Sequence, residues 1–169
     1  DLKEGSIQEI HDWILDHTVD LGLTSLQEND EFECIPLYND PMVAVVPAHY
    51  PVQSKDGFDV HEFEKYPFIM AAMETDNDCD VANVIKKSGI DVNVKFSSKD
   101  DIAIMSMVES GLGISILPEL ITKRHFQDIH IIPIKPPFKR VLGIGLYSLE
   151  SASPAALKFI EYARNMLKP

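Results

Sequence analysis

Residues 97–120, SSKDDIAIMSMVESGLGISILPEL, hold the turn, the helix and the return strand of a βαβ unit in one run. Ser97 and Ser98 open it at the end of an apolar strand pattern, VNVKF (92–96). In the helical pattern that follows, Ile102, Met105 and Val108 fall on one face and are expected to point inward. Ser98 and Asp101 stand near capping-box spacing, which makes Ser98 the expected cap. Gly111 suits a left-handed helix end, and Gly113 lets the chain re-enter a strand closely; ISIL (114–117) is that strand. Pro118 sits where a first helical turn accepts proline, which predicts a helix over ELITKRH (119–125). Hydroxyls and backbone N–H groups at a helix mouth serve as a cap, as part of a binding site, or as both.

The same alternation runs outward in both directions. EGSIQEIHDWILDH (4–17) carries Ser6 and Glu9 at capping-box spacing, with Ile7, Ile10 and Ile14 on one helical face. VDLGLTS (19–25) reads as a short buried strand. FECIPLYND (32–40) and PMVAVVP (41–47) read as two extended segments, the second stopped by Pro47. AHYPVQSKDGFDVHEFEKYP (48–67) is polar and rich in turn formers, a candidate lobe boundary. FIMAAM (68–73) is a strand. DNDCDVANVIKKSG (76–89) is a helix with Asn77 or Asp78 as cap, Val81, Val84 and Ile85 inward, and Gly89 as stop. IHIIPI (129–134) and RVLGIGLYS (140–148) are extended. Ser153-Pro154 starts a last amphipathic helix with Ala156, Ile160, Ala163 and Leu167 on one face. Strands alternating with helices predict an α/β fold with mostly parallel sheets.

Composition narrows the function. The 169 residues are 45% hydrophobic and 25% charged, enough for a real core. With 27 acidic against 15 basic residues the formal net charge is −12. Such a chain by itself is a poor nucleic-acid binder and is repelled by anionic membranes. No apolar run approaches the roughly 20 residues of a bilayer span, and DLKEGSIQEI (1–10) has no basic start and no apolar signal core. Cys34 and Cys79 are not a CxxC pair and read as reduced, half-buried thiols of a cytoplasmic protein.

Groups for catalysis are missing. Gly111-Leu112-Gly113 closes a helix, whereas a phosphate-binding loop must open one. There is no P-loop and no GxSxG elbow. His11, His17, His49, His61, His125 and His130 show no metalloprotease spacing. ETDNDCD (74–80) clusters Glu74, Asp76, Asp78 and Asp80 but lacks the glycine and the final glutamate of a calcium loop; it reads as an acid-rich helix start. No metal and no cofactor are expected.

Three βα turns with small polar residues remain: LTSL with Thr24 and Ser25, METD with Glu74 and Thr75, and FSSKD with Ser97 and Ser98. In open parallel sheets ligands bind beyond the carboxyl ends of the strands. Hydroxyls and helix N-termini there fit a small polar ligand, above all a carboxylate. Each turn is equally readable alone as an ordinary cap, since Ser and Thr are default capping residues.

EGSIQEIHDWILDHTVDLGLTSL (4–26), IPLYNDPMVAVVPAHYP (35–51), FIMAAMETD (68–76) and VESGLGISILPEL (108–120) occur in an order that resembles the effector-binding (regulatory) domain of LysR-type transcriptional regulators. The likeness runs from about Glu4 to the final helix. It implies two Rossmann-like lobes joined by two crossover strands, like type 2 periplasmic binding proteins, with a ligand cleft between them. Lobe I would hold residues 1–46 and 141–169, and lobe II residues 47–140. MVAVV (42–46) and RVLGIGLY (140–147) would be the crossovers. Thr24 and Ser25 would face the cleft from lobe I, and Glu74, Thr75, Ser97 and Ser98 from lobe II. Set against the family, the chain reads as N-terminally truncated: the DNA-binding winged helix-turn-helix, its linker helix, and the first strand and helix of the regulatory domain lie outside the 169 residues.

The expected function is therefore a cytoplasmic bacterial effector sensor, not an enzyme. It would bind a small polar ligand, a carboxylate or an amino acid, form a homodimer or higher homo-oligomer, and reach DNA only through the missing domain. A solute-binding protein serving a transporter shares the fold and is the alternative. An enzyme would need a nucleophile with its base, which the chain does not supply.

Overall fold

A computed structural model describes residues 1–27, 30–51, 57–72, 80–123 and 126–167. Its contacts divide the chain into unit 1, Asp1–Asn39 with Arg140–Pro169, and unit 2, Asp40–Lys139. The change-overs fall at 39/40 and 139/140, where the sequence reading drew 46/47 and 140/141.

Unit 1 starts on the expected capping box. Ser6 Oγ accepts the Glu9 N–H (3.3 Å) while the Glu9 carboxylate accepts the Ser6 N–H (2.7 Å), and α1 (Ile7–Leu15) follows. Both otherwise orphaned donors are satisfied in one motif. Ser6→Ala is expected to cost about 0.5–2 kcal/mol, measured by urea denaturation. The Ser6 contacts hold the Glu9 carboxyl below its ordinary value. A depressed folded-state value means that this contribution is present above the unfolded-state value and is lost as pH falls through the folded one. The larger of these contacts comes from the Ser6 backbone N–H, which alanine keeps, so the check is Glu9→Gln: the acid limb of its stability curve should flatten, and an unchanged limb would remove the Glu9 carboxylate as the cause.

The chain then returns along α1. The Val19 N–H donates to the Trp13 carbonyl (3.1 Å), and β1 (Gly22–Ser25) packs under the helix. Gly22 is required there, because a Cβ would stand 2.7 Å from both Ile10 and Ile14. β1 pairs antiparallel with β8 (Lys139–Leu146), which lies between β1 and the long β2 (Glu33–Pro47). α4 (Pro154–Met166) is capped by Ser153, whose Oγ accepts the Ala156 N–H, with proline at the helix start as expected. Its Ile160 completes a cluster with Ile35, Ile144 and Leu146.

In unit 2 the second half of β2 is buried on both faces. Met42, Ala44 and Val46 enter one cluster and Val43 and Val45 another. A strand covered on both faces reads as an unbroken apolar run, as MVAVV does. It pairs antiparallel with β6 (Ser115–Pro118) and β7 (Ile129–Lys135), and β7 pairs parallel with β3 (Phe58–Asp59). β4 (Pro67–Ala71) and β5 (Asn93–Ser98) form a parallel pair connected through α2 (Asp80–Ser88). α3 (Asp101–Glu109) packs against both.

Several expectations are corrected. The sheets are not mostly parallel, because β2 and β8 carry the chain between the units and run against their neighbours; parallel pairing is kept where a helix closes a βαβ unit. FECIPLYND and PMVAVVP form one 15-residue strand, since Pro36 and Pro41 point their missing donors to exposed positions. The polar stretch is no boundary where described: Phe58, Val60 and Phe63 belong to the unit 2 core. The described part of ELITKRH, Glu119–Lys123, holds a short 3-10 turn, Ile121–Lys123, because Pro118 ends β6 and the Glu119 and Leu120 N–H groups are taken by the Pro41 carbonyl and the buried Asp40 carboxylate. The inward stripe of α3 is Ile104, Met105 and Val108, while Ile102 is 42% exposed. Leu167 is exposed and Ala163 half-buried on α4. Val81 and Val84 of α2 are buried, and Gly89 ends that helix at φ +72°; Asn77 and Asp78 lie outside the described residues. Among the described residues no helix is long and apolar enough to cross a membrane.

Candidate functional site

Thr24 and Ser25 end β1 in unit 1, paired with Gly143 and Leu142 of β8. Both are more than nine-tenths buried, at 7% and 4% exposure. The Thr24 hydroxyl lies 3.5 Å from the Ser25 carbonyl, and the Leu26 N–H donates to the Val141 carbonyl (2.7 Å). The two residues share one strand end with their side chains on opposite faces, both covered by chain rather than held out to solvent. Because β1 runs back along α1, the amino end of α1, with Ser6, lies at the same end of the unit. Sequence reasoning left Ser6 out of the site; the capping-box spacing that marked it as a helix start was the available signal.

Ser97 and Ser98 end β5 in unit 2, in register with Met70 and Ala71 of β4. Ser97 is exposed and Ser98 half-buried. The Ala72 N–H donates to the Ser98 carbonyl (2.9 Å). Glu74 and Thr75 themselves lie outside the described residues. Ser98 is not the cap of α3. Asp100 is: its Oδ1 accepts the Ile102 N–H (2.8 Å) and the Ala103 N–H (3.4 Å), while Ser98 Oγ accepts the Asp100 N–H (3.0 Å). Asp caps as well as Ser does, and the residue directly before the first helical position takes the role. The hydroxyl at the helix mouth thus orients the carboxylate that closes it.

A second polar group sits elsewhere in unit 1. The Asp30 carboxylate accepts the Gln27 N–H (2.8 Å) and the Cys34 thiol (3.4 Å), and His11 Nδ1 stands 3.6 Å away. The His11 ring packs edge-on against Phe32. Cys34 is exposed as a residue, not half-buried, yet burial of its sulfur, reinforced by Asp30, pushes the thiol up to about 11. It is therefore a protonated, slow nucleophile at neutral pH. Cys79 lies outside the described residues. Among the described residues no group of three or more His, Cys, Asp and Glu could hold a metal ion. A polar pocket lined by His17, Tyr147, Ser148 and Ser153 opens at the other end of β1, away from Ser25, and contains none of the expected site residues.

Residues 1–168 match the LysR substrate binding domain, and the chain belongs to that family. The family is one of transcription regulators, not of enzymes. The chain is 25% identical over 167 residues to the HTH-type transcriptional regulator YvbU of Bacillus subtilis (strain 168), covering 98% of this chain and 56% of that protein. It spans about half the length of the curated relatives it matches. Among solved structures it is similar to the CcmR regulatory domain of Synechocystis PCC6803 in complex with 2-PG, with TM-score 0.82, 21% identity, and coverage of 99% of this chain and 83% of that one. It is also similar to the BenM effector binding domain with its effector benzoate, with TM-score 0.84, 17% identity, and coverage of 98% and 77%. These likenesses establish the type 2 periplasmic-binding-protein-like α/β fold.

Proposed function

We propose that the chain is the ligand-sensing part of a bacterial, cytoplasmic LysR-type transcription regulator and that it binds a small polar molecule, a carboxylate or an amino acid. The residues assigned to ligand binding are Thr24 and Ser25 in unit 1, and Glu74, Thr75, Ser97 and Ser98 in unit 2. The observation that carries this reading is the placement of Ser97 and Ser98 at the carboxyl end of β5, directly before α3, where ligands of such folds bind. The bound molecules of the two structural neighbours, 2-PG and benzoate, support a small organic ligand. Ligand binding shifts a population of conformations, and a DNA-binding domain in the parent protein reports the shift. The chain acts as a homodimer or higher homo-oligomer, as closed symmetric assemblies commonly do.

Ser98→Leu tests the site. A ligand at about 100 times its Kd adds about 2.7 kcal/mol to a folded receptor, a readable rise in melting temperature. Ser98→Leu should melt cooperatively and show no such rise for any compound that shifts the wild-type protein. A full response in the variant would dismiss Ser98 from the site.

A further inference from the structure

α4 carries two apolar seams, and unit 1 buries only one of them. Ala156, Ile160 and Ala163 turn inward, where Ile160 meets Ile35, Ile144 and Leu146. One position earlier along the helix, Ala155, Phe159, Tyr162 and Met166 stand four, three and four residues apart. That spacing keeps side chains on one face of a helix, as in a coiled-coil seam. This second face is open: Phe159 is 46%, Tyr162 61% and Met166 83% exposed. A surface helix normally buries a single apolar stripe and turns polar residues outward. The sheet beside it is open as well. Leu23 of β1, the end strand, lies opposite Ile144 on the sheet face that α4 covers, yet Leu23 is exposed. Contiguous exposed apolar residues of this kind mark an association surface.

The outer seam is complementary to itself. About a two-fold axis between residues 160 and 161, an antiparallel copy of α4 sets Met166 against Ala155 and Tyr162 against Phe159. Large meets small at both ends, and aromatic rings meet at the centre. A two-fold contact requires such a patch, one that fits its own copy. Charge permits the approach. The chain stands at −12, which in general sets two copies against each other. α4 instead carries Lys158, Glu161 and Arg164, two cations and one anion. The Lys158 ammonium is held by the Glu161 carboxylate (2.7 Å) and lies over the Tyr162 ring (5.2 Å). The cation beside the seam is thus paired within its own chain and brings no unmatched charge into the contact.

We propose that two copies of this chain associate through α4, outer seam to outer seam, as an antiparallel pair about that axis. The proposal rests on the homo-oligomer reading above and names its interface. α4 has 13 residues, a length of about 20 Å, so the contact is small and belongs with reversible rather than permanent interfaces.

Sedimentation velocity on a dilution series of the 169-residue protein tests this. The wild-type chain should pass from dimer to monomer on dilution. Tyr162→Glu sets a carboxylate against each Phe159 and should raise the dimer Kd about tenfold or more. Leu157→Glu changes an exposed apolar residue on the other side of the same helix and should leave the Kd alone. In a background of Cys34→Ser and Cys79→Ser, Ala155→Cys combined with Met166→Cys should give a covalent dimer on mild oxidation, and neither change alone should. Within one chain those two positions are about 16 Å apart along the helix, beyond the reach of a disulfide. A dimer unchanged by Tyr162→Glu leaves the homo-oligomer standing and overturns the proposal. So does an equal loss in Leu157→Glu, or a double cysteine variant that does not cross-link. A wild-type chain that is monomeric at every concentration overturns both, and leaves the outer seam of α4 to a different protein or segment.

Discussion

Phe68→Ala is expected to lower the unfolding free energy by about 3–5 kcal/mol, a large share of the roughly 5–15 kcal/mol that a domain has in total. Phe68 is completely buried near the start of β4. It packs edge-on against Phe63 (5.8 Å between ring centroids) and joins the cluster of Met42, Ala44, Val46, Val81 and Val84. Its backbone also bridges to Ile114, so strands on two sides hold the position in place. A void left by the ring cannot be closed by sliding one side chain, which places the cost at the upper end for large-to-small changes. Urea denaturation followed by far-UV circular dichroism measures it. A loss below about 1 kcal/mol would mean that this core collapses around the gap and is less tightly built than described.

Gly113→Ala adds a single methyl and is expected to cost about 2–4 kcal/mol. A Cβ at Gly113 would stand 2.5 Å from the Pro67 carbonyl oxygen and 3.1 Å from its carbon. Backbone, unlike the end of a flexible side chain, cannot step aside cheaply. That same oxygen accepts the Ile114 N–H (2.9 Å), so moving it breaks the contact that ties β4 to the start of β6. Overpacking of this kind costs about 1–3 kcal/mol, and a broken hydrogen bond about 1 more. Gly89→Ala is the control. Gly89 has nothing within 4 Å of its missing Cβ, but its φ of +72° is left-handed. The strain there should cost only about 1–2 kcal/mol. If the two variants melt alike, close approach is not why residue 113 is glycine.

Local signals in the sequence were accurate wherever a short-range interaction decides the outcome. Ser6 with Glu9 marked the start of α1, Ser153-Pro154 the start of α4, and Gly89 the end of α2, because each is settled by hydrogen bonds or dihedrals within one turn. The order of the four motifs identified the family and with it the two-lobed fold. Errors arose where two readings are locally equal and a distant partner chooses between them. Ser98 and Asp100 are both good caps; the backbone pairing of β5 with β4, Ala71 opposite Ser98, holds Ser98 in the strand and leaves the cap to Asp100. Pro118 suits a helix start as well as a strand end, and its pairing with Met42 makes it the latter.

The candidate site divides along the same line. That Thr24, Ser25, Ser97 and Ser98 lie where strands give way to turns was legible, since apolar runs and turn formers bound each one. That Thr24 and Ser25 are buried was not, because it depends on β8 alongside, where Gly143 lets Leu26 and the Ile35 carbonyl close in. Nor could the sequence show which carboxylate occupies the mouth of α3: Asp100 and Asp101 are adjacent, and the geometry of the first turn selects Asp100.

By itself, then, the amino-acid sequence determined most of the elements, the caps of α1 and α4 and the family, all of which follow from interactions spanning a few residues or from motif order. Only the tertiary structure decided strand direction, the single 15-residue β2, the side of α3 that is buried and the burial of the β1 hydroxyls. Each of these depends on a partner far along the chain, and a local pattern carries no record of which distant surface it will meet.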